Sequence, residues 1–152
     1  MTDKVKVLFV CVHNAARSRM AEALLRKLGG ARFEVASAGF EPTEVSPLVV
    51  EALAQVGLSL PSTGPQPSVF ERYRAGHHFH YVIAVCDEES GERCPLFPGA
   101  TQRLQWSFPD PSTFTGTHAE RLSRVVEVRS AIEARIKAWL HSLSDPPAKT
   151  RT

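Results

Sequence analysis

Cysteine is scarce in this chain: there are three among 152 residues. An odd number cannot all pair, and so few do not make the staple framework of a small secreted domain. In a reducing compartment such cysteines point to catalysis, redox exchange or burial. Long apolar runs are also missing, and none approaches the ~20 residues of a membrane span. The apolar stretch 7–10 is too short for the core of a signal peptide, and His13, Asn14 and Arg17 follow it with no cleavage-like site. A cytoplasmic protein without a membrane partner is therefore expected. Charge of one sign is absent too, with 18 basic against 16 acidic residues and a net charge of +2. Nothing so balanced argues for a nucleic-acid surface, which needs clustered basic charge.

What remains is ordinary globular material, 43% hydrophobic and 22% charged. No internal repeat is visible, and a length near the ~150 residues of one domain predicts a single unit. It is expected over residues 1–143, with 144–152 as a frayed tail around Asp145-Pro146-Pro147.

The run 5–10 is apolar and rich in β-branched residues, as in a buried parallel strand. Met20, Ala23, Leu24 and Leu28 then recur at helical spacing until Gly29-Gly30 stop them. Alternation over 33–38 predicts a second strand. Ser46-Pro47 is a good helix start, and Gly57 its end. Ser68 with Glu71 reads as a capping box opening a short helix. A third strand is expected over 81–85, a weaker fourth over 102–106, and a long helix over 117–143. Alternating strands and helices indicate an α/β fold with a mostly parallel sheet. Ligands in such sheets bind beyond the carboxyl ends of the strands. That rule gathers the Cys11 loop, the Cys86 loop and the 106–111 turn on one edge.

The segment Cys11-Val12-His13-Asn14-Ala15-Ala16-Arg17-Ser18 lies between a strand and a helix. Backbone N–H groups of Val12 to Ser18 would point into such a loop, and the helix N-terminus adds positive potential. A tetrahedral oxyanion suits that concavity, and Arg17 can fork onto two of its oxygens. The same field favours the attacking thiolate form of Cys11, and Ser18 is placed to donate to its sulfur.

Val7-Leu8-Phe9-Val10-Cys11-Val12-His13-Asn14-Ala15-Ala16-Arg17-Ser18-Arg19-Met20-Ala21-Glu22-Ala23 resembles the signature of the low-molecular-weight protein-tyrosine-phosphatase fold family. Within it, the chain is most similar to the thioredoxin-coupled arsenate reductases. Ser37-Ala38-Gly39, Tyr81-Val82-Ile83-Ala84-Val85-Cys86-Asp87, Cys94-Pro95 and Trp106-Ser107-Phe108-Pro109-Asp110-Pro111 extend the resemblance over nearly the whole chain. It implies a single domain with a four-stranded parallel sheet flanked by helices on both faces. It also implies Cys11 as nucleophile, Arg17 as oxyanion clamp and Asp110 as general acid. Asn14 matches the asparagine that braces the loop. Arsenate is the implied substrate, with phosphate or sulfate as analogues.

Two features separate reductase from phosphatase. Ser112 follows Asp110-Pro111, where the phosphatases usually carry an aromatic residue, and Arg19 follows Arg17-Ser18, where they tend to have proline. Reduction of As(V) also needs two electrons. In the family reductases a second thiol attacks the sulfur of the cysteine–arsenate adduct, and a third carries the disulfide to the surface for thioredoxin. Cys86 and Cys94 match that pair. The seven residues between them include Asp87, Glu88, Ser90, Gly91 and Glu92, which suit a pliable loop. Expected, then, is a monomeric arsenate reductase without a cofactor, regenerated by thioredoxin. A glutathione system is left open as reductant. A phosphatase whose nucleophile is guarded by a reversible disulfide is the alternative, and a non-catalytic redox or anion sensor the third.

Other residues carry lesser expectations. Asp87 is the second choice for the acid, and His13 a weak one for a base. Some family reductases hold potassium near the loop. Asn14, Glu22 and Ser37 match its ligands, but residues 61–66 lack the acidic group expected with them. His77, His78 and His80 form a cluster, but a strand's length separates them from Cys86 and Cys94, which makes a shared zinc geometrically poor. Arg19 and Arg26 read as a solvated helix face.

Overall fold

Val5–Val10 forms strand β1. Its side chains alternate between two buried sides: Val7 and Phe9 join one apolar cluster, Leu8 and Val10 another. A strand buried on both faces needs the unbroken apolar run seen in the sequence. The chain continues through helix α1 (Arg17–Gly29), strand β2 (Phe33–Ala38), helices α2 (Pro47–Ala54) and α3 (Val69–Arg74), and strands β3 (Phe79–Ala84) and β4 (Ala100–Gln105). It ends in helix α4 (His118–Ser144). This computed structural model describes residues 4–13, 16–40, 43–60, 62, 64–87, 97 and 99–144.

The four strands form one parallel sheet in the order β2-β1-β3-β4. Helices α1, α2 and α4 supply the larger cluster on one face, through residues such as Met20, Leu25, Val49, Leu53, Val125, Ile132 and Ile136. On the other face Val69 of α3 packs with Leu8, Val10, Val82 and Phe97. The expected fold class, a four-stranded parallel sheet with helices on both faces, is the one observed.

The boundaries differ in detail. β3 and β4 each begin two residues earlier than expected, because Phe79 pairs with Ala100 and the Phe79 N–H donates to the Gly99 carbonyl. His80 is therefore inside β3, where its Nδ1 accepts from the Lys6 N–H at 2.9 Å. The Ser68–Glu71 capping box is present, with both reciprocal bonds made. Ser46 precedes α2 as expected, but its side chain makes no capping bond. Its carbonyl accepts from the Val49 and Val50 N–H groups instead. α4 includes Ser144, and residues 145–152, where the frayed tail is expected, lie outside the described residues. Among the described residues no helix is long and apolar enough to cross a membrane.

Candidate active site

The parallel registers bring the carboxyl ends of the strands together. Val10 pairs with both Ala38 and Ala84, and Ala84 with Gln105. The pairing runs one step further: Cys11 N–H donates to Ala38, Val85 N–H to Val10 and Trp106 N–H to Ala84. Three segments remote in sequence thus leave the sheet side by side. The strand order reverses beside β1, which sends the chain to β2 on one side and meets β3 on the other, the place where such sheets bind ligands. Further backbone bonds, Phe40 N–H to Val12 and Thr43 N–H to His13, tie the Cys11 loop to the segment after β2.

Cys11 is a free, buried thiol. Its Sγ lies 2.9 Å from Ser18 Oγ, in the first turn of α1. Arg17 is buried beside it, and its Nη1 donates to the Phe108 carbonyl at 3.1 Å. Its Nη2 stands 3.8 Å from Asp110 Oδ2. Asp110 is part-exposed, and its Oδ1 accepts from the Ser112 N–H at 2.9 Å, which fixes the carboxylate at the start of the 3-10 turn Pro111–Thr113. A cavity of about 280 Å³ opens over this group, lined by Cys11, His13, Arg17, Asp110 and residues of α2 and α4. The thiol, the arginine and the carboxylate chosen from the sequence thus share one pocket. Asn14 and Ala15 lie outside the described residues, so their part in the loop is not described.

Cys86 follows β3 and is buried, with its Sγ 3.9 Å from the Val10 carbonyl oxygen. Its own carbonyl accepts from Gln105 Nε2 at 2.9 Å. Cys86 is disulfide-bonded, whereas Cys11 is not. Cys94 lies outside the described residues.

Sequence reasoning misplaced one arginine. Arg19 is 1% exposed, whereas Arg26 is exposed as expected and reaches over Glu22. Arg19 Nε is 3.2 Å and Arg26 Nη2 2.6 Å from the Glu22 carboxylate, which also accepts from Ser37 Oγ at 2.6 Å. Arg19 donates as well to the carbonyls of Ser62 and Gly64. Burial draws the Arg19 guanidinium below its ordinary pKa, against the pull of Glu22. Helical position alone cannot separate a solvated arginine from one roofed by a distant loop. Two of the three residues matched to potassium, Glu22 and Ser37, therefore do meet, and the cations beside Glu22 are guanidinium groups. Among the described residues no three His, Cys, Asp or Glu side chains group as metal ligands.

The pocket also holds Ser46 and Leu48 at the start of α2, and Arg121 in the first turn of α4. None stands out from the sequence as a site residue. Thr117 and Glu120 give one usable signal, since they exchange reciprocal capping bonds of 2.8 and 3.1 Å and so begin α4 where Arg121 meets the pocket.

Residues 6–148 match the model of the family described as low molecular weight phosphotyrosine protein phosphatase. The chain is 33% identical over 139 residues to an arsenate reductase of Shouchella clausii, covering 91% of this chain and 96% of that protein. Among solved structures, the arsenate reductase of Archaeoglobus fulgidus is similar with a TM-score of 0.62 and 30% identity, covering 86% of this chain and 98% of that one. A thioredoxin-dependent arsenate reductase of Corynebacterium glutamicum gives a TM-score of 0.58 and 32% identity, covering 90% of this chain but 64% of its own length.

Proposed function

The chain belongs to the low molecular weight phosphotyrosine protein phosphatase family, and from that premise we propose that it reduces arsenate to arsenite with thioredoxin as reductant. The observation that carries this reading is the second cysteine. Cys86 leaves the strand next to Cys11 at the same sheet edge, and it is disulfide-bonded while Cys11 is free. A phosphatase cycle needs no such partner. The similar proteins named as arsenate reductases support the same choice.

The chemistry runs in three steps. The Cys11 thiolate, with Ser18 donating to it, attacks As(V) held by Arg17 and the N–H groups of residues 12–18. Asp110 gives its proton to the departing oxygen, which leaves as water. The thiolate of Cys86 then attacks Cys11 Sγ, and the sulfur–arsenic bond breaks with its electron pair on arsenic. Arsenite departs and a Cys11–Cys86 disulfide remains, so two thiols have supplied the two electrons. Cys94 next attacks Cys86, freeing the Cys11 thiolate as leaving group. The resulting Cys86–Cys94 bridge is reduced by the dithiol of thioredoxin.

Arsenate-dependent NADPH oxidation, with thioredoxin and its reductase as the only electron path, tests the reading. Sustained oxidation with one arsenite per NADPH is the expected result. No arsenate dependence, together with steady hydrolysis of para-nitrophenyl phosphate, would replace it with the phosphatase reading, which the family description favours.

A further inference from the structure

Among the described residues, Arg19, Arg72, Arg121 and Arg129 each bury an Nε that has no hydrogen-bond partner. Three of them use their other nitrogens: Arg19 on the Ser62 and Gly64 carbonyls, Arg72 on Ser37 and Arg129 on Ala52. Arg121 differs, because its guanidinium makes no hydrogen bond and no ion pair among the described residues. It is half-buried and lines the same cavity as Cys11, Arg17 and Asp110. A buried donor left without an acceptor is costly and rare in a native protein, and a charged one more so. That Nε has no accessible surface and does not itself face the open cavity; what places Arg121 there is its position in the cavity lining.

The remaining wall bears on what Arg121 would meet there. His13, Ala16, Ser46, Leu48, Pro111 and Ser112 complete it, with no phenyl, phenol or indole ring among the described lining. An aryl group would find no phenyl or indole ring to stack on, only the His13 imidazole, whereas an anion would find two guanidinium groups. Arg17 is held at the floor through Phe108 and Asp110, and Arg121 comes from a separate element, α4.

We propose that Arg121 is a specificity-determining residue that binds the outer, non-nested oxygen of a tetrahedral oxyanion, so that the pocket selects inorganic oxyanions over aryl phosphate esters. In an inorganic oxyanion that outer oxygen is a charged or hydroxyl acceptor facing Arg121. In an aryl ester the same oxygen is bridging, uncharged and a poor acceptor, and the contact is lost. The choice of arsenate as the reacting oxyanion rests on the function proposed above; the selection itself concerns binding alone.

The test therefore uses binding as well as turnover. Protection of Cys11 from iodoacetamide is measured against inorganic phosphate and against phenyl phosphate, in the wild type, Arg121→Gln and Arg121→Lys. The half-protecting phosphate concentration rises about tenfold in Arg121→Gln, the loss expected for one hydrogen bond to a charged group. Phenyl phosphate weakens by less than about threefold, since it never had that bond. Arg121→Lys keeps a point charge and recovers part of the phosphate protection. In turnover, Arg121→Gln lowers kcat/KM for arsenate, as expected for a lost contact to the bound oxyanion. Thermal melting of each variant shows that it is folded. Unchanged phosphate protection in folded Arg121→Gln overturns the proposal, and so does an equal loss for both ligands. If the wild type does not reduce arsenate, the function proposed above fails, while the protection ratios still decide the role of Arg121.

Discussion

Cys11 and Arg17 stand out because a thiol and a guanidinium with five residues between them can face one anion only if the chain between them is a loop. The structure sets them at the floor of one cavity. Cys11→Ser is expected to abolish arsenate reduction and any phosphatase activity, measured with each substrate on purified protein. Arg17→Lys should weaken oxyanion use by at least about tenfold, because lysine cannot make the planar two-bond fork. Asp110→Asn should slow the first chemical step by about 10²–10⁴-fold, the usual worth of general acid catalysis, without loss of fold. Wild-type single-turnover rates in that variant would move the role to another group. Glu22 makes a different kind of prediction. It is the carboxylate between Arg19 and Arg26, and its removal leaves Arg19 buried without its counter-charge. Glu22→Gln should lose roughly 3–5 kcal/mol in urea unfolding, as when one partner of a buried ion pair is deleted. A loss under about 1 kcal/mol would mean that the Ser62 and Gly64 carbonyls carry Arg19 by themselves. Cys11 and Arg17 were legible as a pair because one short motif holds both. Arg19 was not, because its partners Ser62 and Gly64 lie more than forty residues away.

Elements were legible to the extent that local forces specify them. β1 and β2 fall where an apolar run and an alternating one place them, and the Ser68–Glu71 box begins α3 as expected. β3 and β4 begin two residues early because their first pairs are set by each other and by Gly99, not by their own composition. The start of α4 repeats the box with Thr117 and Glu120. Thr117→Ala should cost about 1 kcal/mol of stability, the usual value of an N-cap hydroxyl. The Thr117 N–H holds the Glu120 carboxyl below its ordinary pKa. A carboxyl with a depressed folded pKa stabilises above its unfolded value, and the effect is lost as pH falls through the folded one. Glu120→Gln should therefore be less stable than wild type at neutral pH and converge with it in acid. Chemical denaturation across pH checks this, and a gap that persists below about pH 3 would assign the loss to something other than the charge.

The proposed relay draws on thiols from separate parts of the sequence, since Cys11 follows β1 and Cys86 follows β3. If the proposed order holds, Cys86→Ser stops arsenite release while sparing slow phosphatase turnover. Cys94→Ser stalls after one turnover with Cys11 bonded to Cys86. Peptide mapping of arsenate-treated protein reads both outcomes. Multiple turnovers in Cys94→Ser with thioredoxin alone would demand a two-thiol mechanism instead.

By itself the sequence determined the strands and helices that local periodicity specifies, the short segment that carries the Cys11 thiol and Arg17, and the fold class. These depend on residues within a few turns of one another. Tertiary structure decided the rest. It set Cys86 beside the Cys11 loop through the register of β1 with β3, drew Asp110 to 3.8 Å from Arg17 and roofed Arg19 with the 62–64 segment. It also brought Arg121 from α4 into the pocket. Such meetings depend on sheet order and on where each crossover returns, and a parallel sheet aligns the carboxyl ends of strands that are distant along the chain.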